Sequence, residues 1–306
     1  MIDIVGKRTW FFLLSAVLVT VAALSLAVFR LELGIDFSGG SELTVQFAQA
    51  ATTDEVAGVV ASQGFTPIVT VDDNQHFRIR TDEELFKDDK TRVVDALTAR
   101  FGETTQLGFK RGNKDTARET ARVGATAVAV ASVGILVYLA FAFRKVPKPF
   151  HYGVCAVIAL VHNVLIVLGV FSILGRFANW EIDLALVTGI LTVVGYAVND
   201  SIVVFDRIRE NHKRFPGSDF GLVVNTSLTE TMSRSLITGM GVIFVLVALL
   251  LFVGPSIKNL VVALITGIIT GTYTSIFIAA PLLYAWEKMG QRKKPEGVAR
   301  AAQKTA

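Results

Sequence analysis

The sequence is poor in the residues that staple or charge a chain. There is one cysteine, Cys155, among 306 residues. A disulfide-stapled secreted scaffold is therefore excluded, and so is a cysteine-built zinc cluster. Charged residues make up 18% of the chain, against about 25% in ordinary soluble domains. Apolar surface is abundant instead, at 52% hydrophobic residues, which excludes disorder for most of the length. No P-loop is present. The stretch Gly34-Ile35-Asp36-Phe37-Ser38-Gly39-Gly40 is glycine-rich but lacks the Gly-Lys-Ser/Thr ending. The formal charge of +4 and the pI of about 9.2 do not mark a nucleic-acid surface, because no basic stripe with interleaved aromatics occurs. What remains is a membrane protein with one polar insertion.

A spanning helix needs about 20 apolar residues. Six stretches meet this, at Trp10–Phe29, Val123–Phe143, Tyr152–Leu174, Leu184–Phe205, Leu236–Val253 and Leu260–Trp286. Only the fourth carries an acidic or basic residue, Asp200. The first has Lys7 and Arg8 before it, and Ser25-Leu26-Ala27 has the look of a cleavage site. Its apolar run exceeds that of a secretory signal, so an uncleaved anchor is expected.

Lys and Arg in short loops set the orientation. One side holds Lys7, Arg8, Arg144, Lys145, Lys148, Arg207, Arg209, Lys213, Arg214, Arg234, Lys288, Arg292, Lys293, Lys294, Arg300 and Lys304. The short loops of the other side hold only Arg176 and Lys258. This split places both termini in the cytoplasm, with anionic lipid heads as natural contacts of the basic segments. Four regions follow. Residues 1–29 form a cytoplasmic tail and the first span, and 30–122 an extracytoplasmic domain. Residues 123–286 hold the remaining five spans, and 287–306 a basic cytoplasmic tail.

The extracytoplasmic domain is long enough for its own core. Leu43, Val45 and Phe47 alternate as a strand, and Asp54–Gln63 reads as a helix with Thr53 as its N-cap. Ile68, Val69 and Val71 form a second strand. Asp72-Asp73-Asn74 is turn chemistry, and Phe77 and Ile79 open a third strand. Glu83–Arg100 reads as an amphipathic helix with Leu85, Phe86, Val93, Val94 and Leu97 inward, and Thr104–Lys110 as a weaker fourth strand. The order β-α-β-β-α-β predicts a ferredoxin-like α+β domain on a six-helix polytopic membrane protein. His76 is its only histidine and reads as a surface residue. The glycines of the 34–40 stretch are expected where the chain turns with positive φ.

Asp200 is the residue most in need of explanation. A carboxylate in a span marks a proton site, an ion site or a partner for a cation, or else a structural hydrogen bond to a neighbouring helix. Ser227-Leu228-Thr229-Glu230 fits a capping box. A helix starting there would carry Arg234 nearly two turns in, toward Asp200. The alternative for Arg234 is snorkelling to lipid phosphate. Span four is expected to continue as helix through Glu210, with Asp206 in a solvated salt bridge near Arg207 and Arg209. Thr266, Thr270 and Thr274 form a stripe on span six beside Gly267 and Gly271, and Thr188, Thr192, Gly195 and Asn199 a similar face on span four. These faces could line a hydrated path or simply be helix contacts. His162-Asn163 is polar at mid-membrane depth, either titrating or neutral and hydrogen-bonded.

Three stretches resemble the SecD/SecF family of export proteins. They are Gly34–Gly40, Val194–Asn211 and Thr229-Glu230-Thr231-Met232-Ser233-Arg234-Ser235. The resemblance covers residues 1–290. It implies a non-enzymatic accessory subunit of the Sec translocase in a bacterial cytoplasmic (inner) membrane. Such a subunit pairs with SecD, associates with the SecYEG channel and YajC, and acts on the translocating preprotein with the proton motive force. By the same resemblance, Asp200 and Arg234 belong to a proton-responsive site, with Asn199, Tyr196, Asp206, His162, Thr266 and Thr270 as supporting polar residues. Gly34, Asp36, Phe37, Gly39 and Gly40 form the signature after the first span. Relatives often read His-Asp where this chain reads His162-Asn163, which removes one titrating carboxylate. No cofactor or metal is implied.

Three other functions compete. Half of a resistance-nodulation-division exporter would need larger external domains and both halves in one chain. A purely structural assembly subunit would tolerate loss of the Asp200 charge. An intramembrane aspartyl protease would need aspartates on two facing helices, and the span cores offer one.

The orientation predicts a labelling pattern. With Cys155 removed, Ser62→Cys should react with an impermeant thiol reagent in intact cells and Ser218→Cys should not. The reverse pattern would contradict the assigned topology.

Overall fold

The computed structural model describes residues 3–71, 75–142, 144, 149–252 and 254–292. The expected turn Asp72-Asp73-Asn74, the span end Phe143, Lys145, Lys148 and the tail beyond Arg292 lie outside the described residues. In chain order the elements are α1 (Arg8–Val28), α2 (Ile35–Ser38), β1 (Gly40–Phe47), α3 (Thr53–Ser62), β2 (Pro67–Val71), β3 (His76–Thr81), α4 (Lys87–Phe101), β4 (Thr104–Gly112) and α5 (Lys114–Ala142). There follow α6 (Pro149–Ala178), α7 (Leu184–Arg214), α8 (Phe220–Phe252), α9 (Pro255–Thr274), a π-helical turn (Ser275–Ala279) and α10 (Ala280–Arg292).

The chain divides into two compact units. The first comprises 1–30, 129–173 and 185–306, and the second 31–128 with 174–184. Five described helical segments are long and apolar enough to cross a membrane: Arg8–Val28, Phe150–Ala178, Leu184–Arg214, Phe220–Phe252 and Ile257–Met289. The expected second span falls on α5, which is not among these five.

In the second unit, a four-stranded antiparallel sheet runs in the order β2-β3-β1-β4. Alternation places Leu43, Val45, Phe77 and Ile79 on one face, where they pack with Val56 and Val60 of α3 and Val93, Leu97 and Phe101 of α4. Two local expectations need correction. The N-cap of α3 is Thr52, because Glu55 sits three residues on and closes a capping box with it (Glu55 N–H to Thr52 Oγ1 3.4 Å, Thr52 N–H to Glu55 Oε2 3.0 Å). Phe86 is exposed, not inward. It precedes α4, where its N–H donates to Asp89 Oδ2, and Leu85 alone of the pair is buried.

The glycine-rich stretch forms the short α2 and then two glycines of positive φ, Gly39 (φ 76°) and Gly40 (φ 95°), the second opening β1, whereas Gly34 is extended with φ −71°, contrary to expectation. A Cβ on Gly40 would lie 2.2 Å from the Thr81 carbonyl oxygen, so only glycine fits. The segment 174–184 packs on this stretch. Gly34 N–H donates to Ile182 O (2.8 Å), Ile182 N–H to Glu32 O (2.7 Å), and Leu184 N–H to Asp36 Oδ2 (3.1 Å). Asp36 thereby caps the first amide of α7. Beside these bonds, Arg80 on the polar face of the sheet pairs with Glu181 (3.0 Å) and donates to Ser38 Oγ (2.6 Å).

Burial pushes the Glu181 carboxyl above the usual glutamate value of 4.5, and Arg80 offsets only part of that push. The folded chain therefore keeps this proton to higher pH than the unfolded chain. The stability that the proton contributes is full below 4.5 and is lost as pH rises through the raised value. Hydrogen-exchange protection of the Ile182 and Leu184 amides, corrected for intrinsic rate, should fall across that window. Glu181→Gln should flatten the dependence. Arg80→Ala removes the charge-assisted bond that this half-buried carboxylate receives from the sheet, at a cost of about 1–3 kcal/mol, and should speed exchange by roughly tenfold or more at neutral pH. A flat profile in the unmodified chain would contradict this assignment.

Candidate functional site

In the first unit, α7 turns one face inward through Val193, Ala197, Asp200, Ser201, Val204, Ile208 and Asn211. These recur at helical spacing, so the carboxylate of Asp200 lies on the packed face and is 8% exposed. The helix that meets it is α9. A Cβ on Gly267 would lie 2.1 Å from Val193 Cγ2, and one on Gly271 would lie 3.4 Å from Ala197 Cβ. Small residues one turn apart thus let the two backbones close up. The next step along both helices brings Ser275 to Asp200.

The carboxylate is held by two serines. Ser235 of α8 donates to Asp200 Oδ1 at 2.5 Å, and Ser275 donates to Asp200 Oδ2. Both serines are buried. Ser275 is also the first residue of the π-helical turn, a feature that concentrates at functional sites. Sequence reasoning missed both hydroxyls. Ser235 lies at the end of the Thr229–Ser235 stretch, one residue past Arg234, and Ser275 follows directly on the Thr266-Thr270-Thr274 stripe.

Arg234 is not at the carboxylate. It is exposed, and among the described residues no ion pair joins it to Asp200. The start of its helix differs from the expectation as well. The Ser227–Glu230 capping box does not exist, because α8 already begins at Phe220, where Asp219 Oδ2 accepts from Leu222 N–H (3.1 Å). Ser227 sits within the helix and donates back to Val223 O at 2.8 Å. Glu230 turns to α7, accepting from Arg207 Nε (2.6 Å) and Asn211 Nδ2 (2.7 Å). Of the adjacent pair, Ser235 is buried and Arg234 exposed.

The other expected residues separate. Asp206 pairs with Arg209 at 3.1 Å and is exposed. Asn199 is exposed. The Tyr196 hydroxyl and Thr272 Oγ1 converge on Gly239 of α8, where a Cβ would lie 3.3 and 3.0 Å from them. Thr270 donates to the Thr266 carbonyl at 2.8 Å, so that stretch of the stripe is bonded to its own backbone. His162 forms a second network. Its Nε2 is 2.5 Å from Ser15 Oγ and its Nδ1 is 3.1 Å from Thr274 Oγ1, which donates to Asn163 Oδ1 at 2.7 Å. With Nδ1 protonated and Nε2 accepting, a neutral imidazole satisfies both contacts. Among the described residues no cluster of three or more His, Cys, Asp or Glu could hold a metal ion.

The family model "Protein export membrane protein SecD/SecF, C-terminal" matches residues 95–289, which contain Asp200, Ser235 and Ser275. The model "SecD/SecF GG Motif" matches residues 24–51, which contain Gly39 and Gly40. The protein translocase subunit SecF of Thermobaculum terrenum is 42% identical, over 98% of this chain and 100% of that protein. The protein translocase subunit SecDF of Bacillus subtilis is 33% identical, over 93% of this chain and 38% of that longer protein. The crystal structure of the translocon-associated membrane protein SecDF from Thermus thermophilus superposes with a TM-score of 0.83 at 28% identity, over 94% of this chain and 39% of that one. The chain therefore belongs to the SecD/SecF family of protein export membrane proteins.

Proposed function

We propose that this chain is an accessory subunit of the Sec translocase in which proton binding at Asp200 drives movement that promotes late steps of protein export. The observation that carries this reading is the buried Asp200 carboxylate, held between helices by neutral hydroxyls and, among the described residues, by no cation. A charge at that depth costs about 3 kcal/mol even on insertion scales, and a purely structural contact is made more cheaply by a neutral residue.

Arg234 takes part as the second state of the site. Adjacent helical residues project about 100° apart, so a turn of α8 about its axis exchanges Ser235 for Arg234 at the carboxylate. A guanidinium favours the charged form of a carboxylate more than neutral hydroxyls do. A proton bound in one state is then released in the other, and alternating access to the two membrane faces makes the cycle directional. The driving force is ample, at about 2.3 kcal/mol per charge per 100 mV.

In this reading α5 supplies a sixth span, both termini are cytoplasmic, and residues 30–122 form a ferredoxin-like extracytoplasmic module that engages preprotein. SecD is the partner half. The family relatives that fuse both names in one chain support this. SecYEG and YajC complete the assembly, and no catalytic step is assigned to the chain.

The test is ATP-saturated export into inverted vesicles carrying each variant, with and without an uncoupler. Asp200→Asn should assemble and lose the uncoupler-sensitive stimulation. Arg234→Ala should impair it, and Asp206→Asn should matter less. Full uncoupler-sensitive stimulation in Asp200→Asn vesicles would contradict a proton role for Asp200.

A further inference from the structure

The two serines at Asp200 are not equivalent. Ser235 Oγ has one partner among the described residues, Asp200 Oδ1. If Ser235 were to accept a proton from the acid, its own hydroxyl hydrogen would be left buried without an acceptor, which is costly. Oδ1 is thus fixed as an acceptor. Ser275 Oγ has alternatives. Besides Asp200 Oδ2 it lies 2.8 Å from the Gly271 carbonyl oxygen and 3.3 Å from that of Thr272. A hydroxyl carries one hydrogen and two lone pairs, so it can donate to only one of these at a time.

Resting on the reading of Asp200 as the proton site, we propose that Ser275 is the positioning residue that lets this site hold either protonation state. It donates to Oδ2 when the carboxylate is charged. When Oδ2 carries the proton, it accepts from the acid and donates to the Gly271 carbonyl. The proton therefore resides on Oδ2, and neither state strands a buried hydrogen-bonding group. The π-helical turn that begins at Ser275 sets the hydroxyl between the two acceptors.

Of the titratable or charged groups on the elements packed round the carboxylate, those within four residues of Asp200, Ser235 or Ser275 in sequence are Tyr196, Arg234 and Tyr273, and α6 adds His162. None of these four is hydrogen-bonded to Asp200. Tyr273 donates to Phe11 O at 2.9 Å, and His162 is engaged by Ser15 and Thr274. The hydroxyl of Ser275 is accordingly the one group here that must turn when the proton arrives.

Hydrogen bonds to a charged group are about twice as strong as neutral ones. Losing the Ser275 hydroxyl therefore harms the charged state more than the protonated one. In inverted vesicles holding the complete translocase, the pH profile of uncoupler-sensitive export should move to higher pH by roughly one unit in Ser275→Ala. Ser275→Thr, which keeps the hydroxyl, should restore the original profile. Ser275→Cys is near-isosteric with a weak donor, and should shift the profile in the same direction if Ser275→Ala fails to assemble. An unmoved profile in Ser275→Ala or Ser275→Cys, at whatever overall activity, overturns the proposal. Asp200→Asn run alongside separates the two claims. Loss of stimulation there with an unmoved Ser275 profile leaves the proton role of Asp200 standing, whereas retained stimulation removes that role itself.

Discussion

A carboxylate withdrawn from water must be solvated by whatever the surrounding helices supply. At Asp200 the supply is two serine hydroxyls delivered by two different elements, α8 and the π-helical turn after α9. Much of the first unit can be understood from that requirement. Gly267 brings α9 against α7, since a Cβ there would lie 2.1 Å from Val193 Cγ2, and along the same pair of helices Ser275 meets the acid. The Arg207–Glu230–Asn211 contacts tie α8 to α7 beyond the carboxylate.

The second unit rests on a different constraint, the folding of the glycine-rich stretch. Gly40 is pressed against the Thr81 carbonyl, and the extended bonds of Glu32 and Gly34 to Ile182 require both partners to lie flat against one another. Arg80 and Glu181 close that contact from the sheet side. Asp36, within the same stretch, caps the first amide of α7. The residues of the signature are thus occupied in joining backbone to backbone, which is why the stretch has glycines and one short acid and no phosphate-binding lysine.

The strands and both domain helices were legible in the sequence because each is set by periodicity, and five of the six expected spans because each is a long apolar run. Leu43 and Val45 alternate, and Val56 and Val60 recur by turns. Asp200 was legible because a lone acid in an apolar run is expensive. What was not legible depended on register. Glu230 is compatible with a capping box by spacing alone, and only the position of Asp219 at the true start of α8 shows that the helix is already formed there. Which of the adjacent residues Arg234 and Ser235 meets the acid is a matter of how α8 is rotated against its neighbours, since residues one apart project about 100° apart wherever the helix begins. Ser275 was hidden for a related reason. Serine carries no signal in an apolar helix, and the π-helical turn that aims it has no sequence period of its own.

The central claim is that Asp200 itself takes up and gives back a proton inside the folded membrane protein. Infrared difference spectra of reconstituted membranes, recorded as pH is cycled, read the carboxylic acid directly through its carbonyl stretch. The account predicts a band that appears on acidification in the unmodified protein and is absent from Asp200→Asn. A spectrum in which Asp200→Asn shows the same bands as the unmodified protein would contradict it.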